Sequence, residues 1–194
     1  MSFRVEEKIV CSRVEFFKIF SDLTLSGMKF LYPKRLISSV YLDNTSLDMF
    51  SDSEDGILPR KKIRIREYPQ KLNERSLEIK ISSIEGRFKE TFVIDNELYN
   101  KYLKEGYFDI SYGVCKPLVK VEFSREYFQL AGVRITFDSE IKYESLSSFR
   151  TFNENRNVIE LKASKDVSSD FLNSLISEPR RRFSKYWNAV NYCI

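Results

Sequence analysis

Apolar and polar side chains alternate along most of this chain, and in a β-strand that alternation assigns successive residues to opposite faces. In RKKIRIREY, residues 60–68, the rule puts Lys62, Arg64 and Arg66 on one face and Ile63 and Ile65 on the other. A first strand near residues 2–10 sets Arg4, Glu6 and Lys8 opposite Phe3, Val5 and Ile9. SLEIKIS opposes Glu78 and Lys80 to Leu77, Ile79 and Ile81, and GRFKETF opposes Arg87 and Lys89 to Phe88 and Phe92. VRITFD opposes Arg134 and Asp138 to Val133, Ile135 and Phe137, and VIELK opposes Glu160 and Lys162 to Ile159 and Leu161. Six strands therefore carry charge on one face. LISSVYLD and LVKVEFSREYF read as two more. The second is out of step, because Arg125 shares the parity of Val121 and Phe123; either a bulge shifts the register there or that part of the face is less polar.

Helix signals lie between the strands. Ser12 with Glu15 three residues on is a capping box for SRVEFFKIFSDL, whose aromatic face holds Phe16, Phe17 and Phe20. TSLDMFSD gives a short helical excursion. Asp95 caps a helix through NELYNKYLKEG, with Gly106 as its stop. The stretch from there to Pro117 reads as irregular, and Ser168 to Ile194 as helical, broken by Pro179. No repeat, low-complexity tract or Pro/Gly-rich linker divides the chain, so residues 1–194 are expected to form a single domain. Its class is α+β, an antiparallel sheet of eight strands large enough to close.

The charged faces have two readings. They are the solvated side of an ordinary sandwich, or they line a polar interior. The second gains weight because the aromatic helix faces must pack on something apolar, and the apolar strand faces are the available partner. The charges then turn inward around a basic lumen wide enough for one slender ligand. With Arg125, the strand faces supply eleven cations (Arg4, Lys8, Lys62, Arg64, Arg66, Lys80, Arg87, Lys89, Arg125, Arg134, Lys162) against four carboxylates (Glu6, Glu78, Asp138, Glu160). Desolvated charge on that scale requires a polyanion. Guanidinium forks in that number suit phosphate oxygens, and the few carboxylates suit a divalent cation beside them. Removing Arg64 or Arg134 is accordingly expected to weaken triphosphate binding without lowering stability in the absence of ligand, since each loss also relieves repulsion.

Composition narrows the chemistry. The net charge of +4 does not single out nucleic acid, and the aromatic residues do not interleave with a basic patch as base-stacking platforms would, so no nucleic acid is expected. The chain contains no histidine, which excludes histidine triads, HExxH zinc sites and imidazole bases. Cys11, Cys115 and Cys193 are odd in number and far apart, which argues for ordinary thiols in a reducing compartment. Without a signal-peptide core or a membrane-length apolar run, the expected location is cytoplasmic.

The ordered set FRVEEK, SSVYLDN, KKIRIREY, LEIK, PLVKVEFSREYF, VRITFDSEI, VIELK and RRRFSKYWNAV resembles the VTC domain. This is the catalytic domain of the vacuolar transporter chaperone polyphosphate polymerases, within the triphosphate tunnel metalloenzyme superfamily. The resemblance implies a closed tunnel of eight antiparallel strands with helices packed outside. It implies transfer of the terminal phosphoryl group of ATP onto a polyphosphate chain, with a divalent metal, Mn2+ before Mg2+. The family's phosphate binders fall on Lys8, Arg64, Arg66, Lys80, Arg125 and Arg134, its metal-binding glutamate on Glu160, and the lysine of its terminal motif on Lys185. Lys162 joins the phosphate-facing set by parity, and Glu6 stands beside Glu160 for the metal. Arg64, Arg66, Glu160 and Lys185 are the residues assigned to catalysis, while Tyr186 and Trp187 read as packing residues. Phe123 stands where the family usually has tyrosine. Coupling to transport would require a separate membrane partner. Two rivals use the same ligand: an inorganic triphosphatase, and a polyphosphate or nucleotide sensor without turnover.

Overall fold

Strand boundaries in the computed structural model, which describes residues 4–71 and 74–194, follow the alternation. The expected strand start at residues 2–3, with Phe3, and the side chain of Arg4 lie outside what is described. The strands are β1 (Arg4–Cys11), β2 (Lys29–Asp43), β3 (Arg60–Glu67), β4 (Arg75–Ser82), β5 (Arg87–Val93), β6 (Tyr107–Asp109), β7 (Gly113–Leu130), β8 (Val133–Ser145), β9 (Thr151–Asn153) and β10 (Asn157–Ser164). The helices are α1 (Arg13–Leu25), α2 (Asp48–Asp55), α3 (Asn96–Glu105), α4 (Ser169–Leu175) and α5 (Lys185–Cys193). None among the described residues is long and apolar enough to cross a membrane. The strands form an antiparallel sheet in the order β1-β10-β8-β7-β2-β3-β4-β5, with β6 on β7 and β9 on β8. Eight strands lie on that path in an α+β chain, as expected. Hydrogen bonds do not close it, since no pairing joins β1 to β5 among the described residues.

Three stretches depart from the expected pattern. β2 begins at Lys29 and passes through Pro33, and β7 begins at Gly113 and passes through Pro117. Both prolines lie toward a strand end, where a missing ladder donor is tolerated. After α4 the chain runs extended rather than helical: Arg180 bridges Ile9, and the Arg181 amide donates to the Lys8 carbonyl at 2.9 Å.

The chain packs as two compact units. The first holds the chain up to Arg35 together with Phe123–Ile141 and Asn153–Phe183. In it α1, opened by the Ser12–Glu15 capping box, buries Phe16, Ile19 and Leu23 against Ile9, Phe137, Ile159 and Leu161. Phe20 joins that core, whereas Phe17 faces away and is 56% exposed. The spacing 16, 19, 20, 23 is the apolar stripe of a helix lying on a sheet face. The second unit holds Leu36–Glu122, Lys142–Phe152 and Ser184–Ile194. There Met49 of α2 and Tyr99, Tyr102 and Leu103 of α3 cover Ile63, Ile65, Leu77 and Ile79. Gly106 ends α3 at φ +90°, where a Cβ would meet the Cys115 carbonyl oxygen at 2.5 Å, so no other residue fits.

Helix α5 does not follow the other four. Its Tyr186 is buried and stacks on Tyr41, with ring centroids 5.0 Å apart. Tyr41 pairs in register with Arg64 and shares the cationic strand face. The expectation of helices only on the apolar faces therefore fails for α5, because its own stripe of Tyr186, Ala189 and Val190 finds an aromatic partner on the charged side.

The Phe137 ring makes edge contacts with Phe16, Phe20 and Phe128 at 5.1, 5.3 and 5.6 Å. Phe137→Ala should cost about 3–5 kcal/mol in urea denaturation, and Phe17→Ala less than about 1 kcal/mol. Equal costs would contradict this placement of the core.

Candidate functional site

The charged face of the second unit is assembled by register. Arg64 lies opposite Glu78, and Lys62, Lys80 and Lys89 form one row across β3, β4 and β5. Like charges set directly opposite one another repel, so the row favours an anion over it. Arg64 and Arg66 are buried and Lys80 is exposed. Nε and Nη2 of Arg64 donate to Oε2 of Glu78 at 2.7 and 2.5 Å, and Nη1 donates to the Tyr41 hydroxyl at 3.0 Å. Lys89 donates to the other Glu78 oxygen at 2.5 Å. Burial pushes the Glu78 carboxyl up, but Arg64, Arg66 and Lys89 outweigh it and bring its pKa down to about 2. Burial likewise pushes the Tyr41 phenol up, yet Arg64, Arg66 and Lys185 together hold it below its ordinary value. Glu78 thus pairs directly with Arg64 and Lys89 and lies in the field of Arg66, while Lys185 acts on the neighbouring Tyr41.

Lys185 is half-buried rather than solvated, and an indirect brace places it. Asp43, at the end of β2, accepts from the amides of Asn44, Met49 and Phe50 at 2.8, 3.1 and 3.0 Å, so it caps α2 from a distance. The same carboxylate accepts from the Tyr186 hydroxyl. Lys62 donates to Oγ of Ser184, the N-cap of α5, at 3.2 Å. Tyr186 is a packing residue, as expected, and also the fastening that sets Lys185 near Tyr41. Asp43 and Tyr41 were not singled out beforehand. The polar parity of Ser39, Tyr41 and Asp43 in SSVYLDN was the available signal.

The first unit brings together Glu6, Lys8, Arg125, Arg134, Glu160 and Lys162. Lys8 lies opposite Glu160 and Glu6 opposite Lys162, while Thr136 and Arg134 flank them on β8. Arg125 makes a bidentate pair with Asp138 at 2.5 and 2.7 Å and reaches Glu160 at 3.3 Å. Its guanidinium stands 5.2 Å over the Phe123 ring, so the parity holds and the face there is partly aromatic. Lys8 Nζ donates to the Phe183 carbonyl at 2.9 Å. Burial raises the Glu160 carboxyl, but its hydrogen bond with Glu6 and the charges of Arg125, Lys162 and Lys8 hold it well below the usual range.

Three buried polar atoms on this face have no hydrogen-bond partner among the described residues: Arg134 Nε, Thr136 Oγ1 and Glu160 Oε1. Oε1 is 2.7 Å from Lys162 Nζ but off the line of a hydrogen bond. Each such group costs about 1–3 kcal/mol if nothing binds there. No group of three or more acidic or thiol side chains able to hold a metal occurs among the described residues. The adjoining Glu6 and Glu160 still fit a hard cation of the kind held by one or two carboxylates plus substrate phosphates.

The VTC domain model matches residues 18–194. No curated protein sequence matches the chain significantly. Among solved structures, the Hippeastrum adenylyl cyclase candidate HpAC1, whose structure reveals a dominant triphosphatase activity, is 16% identical with a TM-score of 0.62, over 99% of this chain and 97% of that one. An adenylate cyclase candidate from Vibrio parahaemolyticus is 14% identical with a TM-score of 0.59, over 98% of each chain. The PH1819 protein of Pyrococcus horikoshii OT3 is 19% identical with a TM-score of 0.58, over 96% of each. At these identities the likeness is one of fold.

Pairing separates the two arginines that were expected to behave alike. Arg64→Ala removes the bidentate partner of buried Glu78, leaving Lys89 and the more distant charge of Arg66, and should cost about 3 kcal/mol without ligand. Arg134→Ala removes a guanidinium that has no ion-pair partner among the described residues and whose buried Nε is unsatisfied, so it should leave stability without ligand unchanged or raise it by about 1 kcal/mol. Equal melting temperatures for the two variants would contradict the assignment. Because the folded Glu78 pKa lies below its unfolded value, its contribution is present above about pH 4.5 and is lost as pH falls toward 2. Acid titration of Glu78→Gln should lack that limb of the stability curve, and an unchanged limb would place the loss elsewhere.

Proposed function

The chain belongs to the VTC domain family of the triphosphate tunnel metalloenzymes, and on that premise we propose that it is a polyphosphate polymerase that uses ATP. The observation that carries the reading is the buried Arg134 Nε beside Thr136 Oγ1, neither with a hydrogen-bond partner among the described residues, on a face where Arg125, Asp138, Glu160 and Lys162 are already ion-paired. A phosphate oxygen would satisfy both Arg134 and Thr136. Each unit presents its own phosphate-binding cations: Lys8, Lys162 and Arg134 in the first, Arg64, Arg66 and Lys80 in the second.

Glu6 and Glu160 would hold the divalent cation, Mn2+ or Mg2+, which acts as a Lewis acid on phosphate oxygens. The attacking group is an oxygen of the acceptor phosphate. It is already anionic, so a chain without histidine lacks nothing for deprotonation. As the new P–O bond forms to the terminal phosphorus of ATP, the bond to the bridging oxygen breaks and ADP leaves. Asp138 fixes the Arg125 guanidinium by its bidentate pair, so that group is oriented before substrate arrives. Lys185, held by the Tyr186–Asp43 hydrogen bond, stabilises the charge that moves to the leaving oxygen or orients the acceptor. A second reading, an inorganic triphosphatase, is favoured by the fold shared with the Hippeastrum protein; water is then the acceptor.

Incubation with ATP and Mn2+ followed by gel analysis should give a polymer ladder, whereas tripolyphosphate cleaved to phosphate without chain growth would select the triphosphatase. Glu160→Gln should abolish metal-dependent turnover and metal-ion binding measured by calorimetry with tripolyphosphate present, while metal-free tripolyphosphate still binds. Lys185→Ala should lower kcat by about 100-fold with less than a threefold change in affinity, as for a group acting mainly on the transition state. Undiminished turnover in Glu160→Gln would contradict the metal assignment.

A further inference from the structure

Aromatic and basic side chains do interleave in FLYPKR, residues 30–35 in β2. The Arg35 guanidinium lies 5.8 Å from the Tyr32 ring centroid and 5.5 Å from that of Tyr127, and the two rings meet edge to face at 5.8 Å. Tyr32 is 46% exposed although it is large and aromatic, and Tyr127 is half-buried. No catalytic or phosphate-binding role above uses any of the three.

Position gives the cluster its meaning. Tyr127 follows Arg125 by two residues on β7, so the two side chains leave the same strand face about 7 Å apart. They are close enough for the Tyr127 phenol to act on the Arg125 charge. Exposure rises along the series: Arg125 is nearly enclosed, Tyr127 half so, and Tyr32 open. A ligand lying along it would put its anionic end against Arg125 and Lys162 and a flat, weakly polar end on the tyrosines. The Nη1 of Arg125 takes part in neither carboxylate pair. Inorganic polyphosphate has no flat end, whereas a nucleotide has one, separated from its first phosphate by a single sugar. Tyrosine rings beside an arginine plane stack any base without reading its edges.

We propose that Tyr32, Arg35 and Tyr127 form a base-stacking subsite for the nucleobase of a nucleoside triphosphate whose phosphates lie toward Arg125. This subsite rests on the triphosphate reading and adds that the donor is recognised as a nucleotide, not only as a polyanion. Selectivity among bases is weak under this arrangement, since stacking involves no base-edge hydrogen bonds.

Equilibrium binding of ATP and of inorganic tripolyphosphate, measured by calorimetry without metal, tests the subsite independently of turnover. Tyr127→Ala and the exposed-site variant Tyr32→Ala should each weaken ATP about tenfold. Tripolyphosphate affinity should stay within twofold, and Tyr127→Phe should restore ATP binding. Equal losses for ATP and tripolyphosphate would show that the tyrosines only support the strand and would overturn the subsite while leaving the phosphate site standing. Unchanged ATP affinity in both alanine variants would overturn it as well. A parent protein that binds neither ligand would overturn the phosphate reading and the subsite with it.

Discussion

Buried positive charge is the constraint on which the rest of this structure depends. A strand face that carries Lys62, Arg64 and Arg66 cannot be withdrawn from water unless something negative comes with it, because each desolvated ion costs several kcal/mol. The protein solves part of the problem internally. Glu78 is shared by Arg64 and Lys89, and Glu160 by Arg125 and Lys162. Each of these two carboxylates thus pairs with two cations.

Each unit has its own balance of charge. In the second, Glu78 lies between Arg64 and Lys89 and in the field of Arg66, so cations outnumber it there. In the first, Glu6, Asp138 and Glu160 nearly balance Lys8, Arg125, Arg134 and Lys162. The adjoining Glu6 and Glu160 there are the pair proposed to hold the cation. For the proposed phosphoryl transfer, the charge neutralisation and positioning it demands would come from side chains held in place before substrate binds. The Asp43 carboxylate extends the same economy to structure, since one buried group caps α2 and anchors Tyr186 of α5.

Much of this was legible in the sequence because strand parity is strict. Ile63 and Ile65 fall in an apolar core and Arg64 and Arg66 on the opposite, charged face, as the alternation requires. The capping box at Ser12 and the stop at Gly106 were equally local and equally readable. What escaped depends on partners distant in sequence. Glu78 could be counted as a carboxylate, but only the β3–β4 and β4–β5 registers reveal that it lies between Arg64 and Lys89. The helical periodicity of α5 identifies its stripe but not which sheet face receives it, so Tyr186 on Tyr41 was hidden. The strands through Pro33 and Pro117 were masked by residues that ordinarily end strands, and the Tyr32–Tyr127 pair joins strands far apart in the chain.

Tyr41 offers the most direct gauge of the central claim, because its phenol sits in the field of Arg64, Arg66 and Lys185. Its ionisation can be followed by ultraviolet titration, with the Tyr41→Phe difference assigning the signal, in the absence and presence of saturating inorganic tripolyphosphate. If these cations bind the triphosphate, Tyr41 ionises below the ordinary value of about 10 in the free protein and moves upward when the anion cancels the field. A Tyr41 midpoint that is the same with and without bound tripolyphosphate would show that the anion sits elsewhere and would contradict the account.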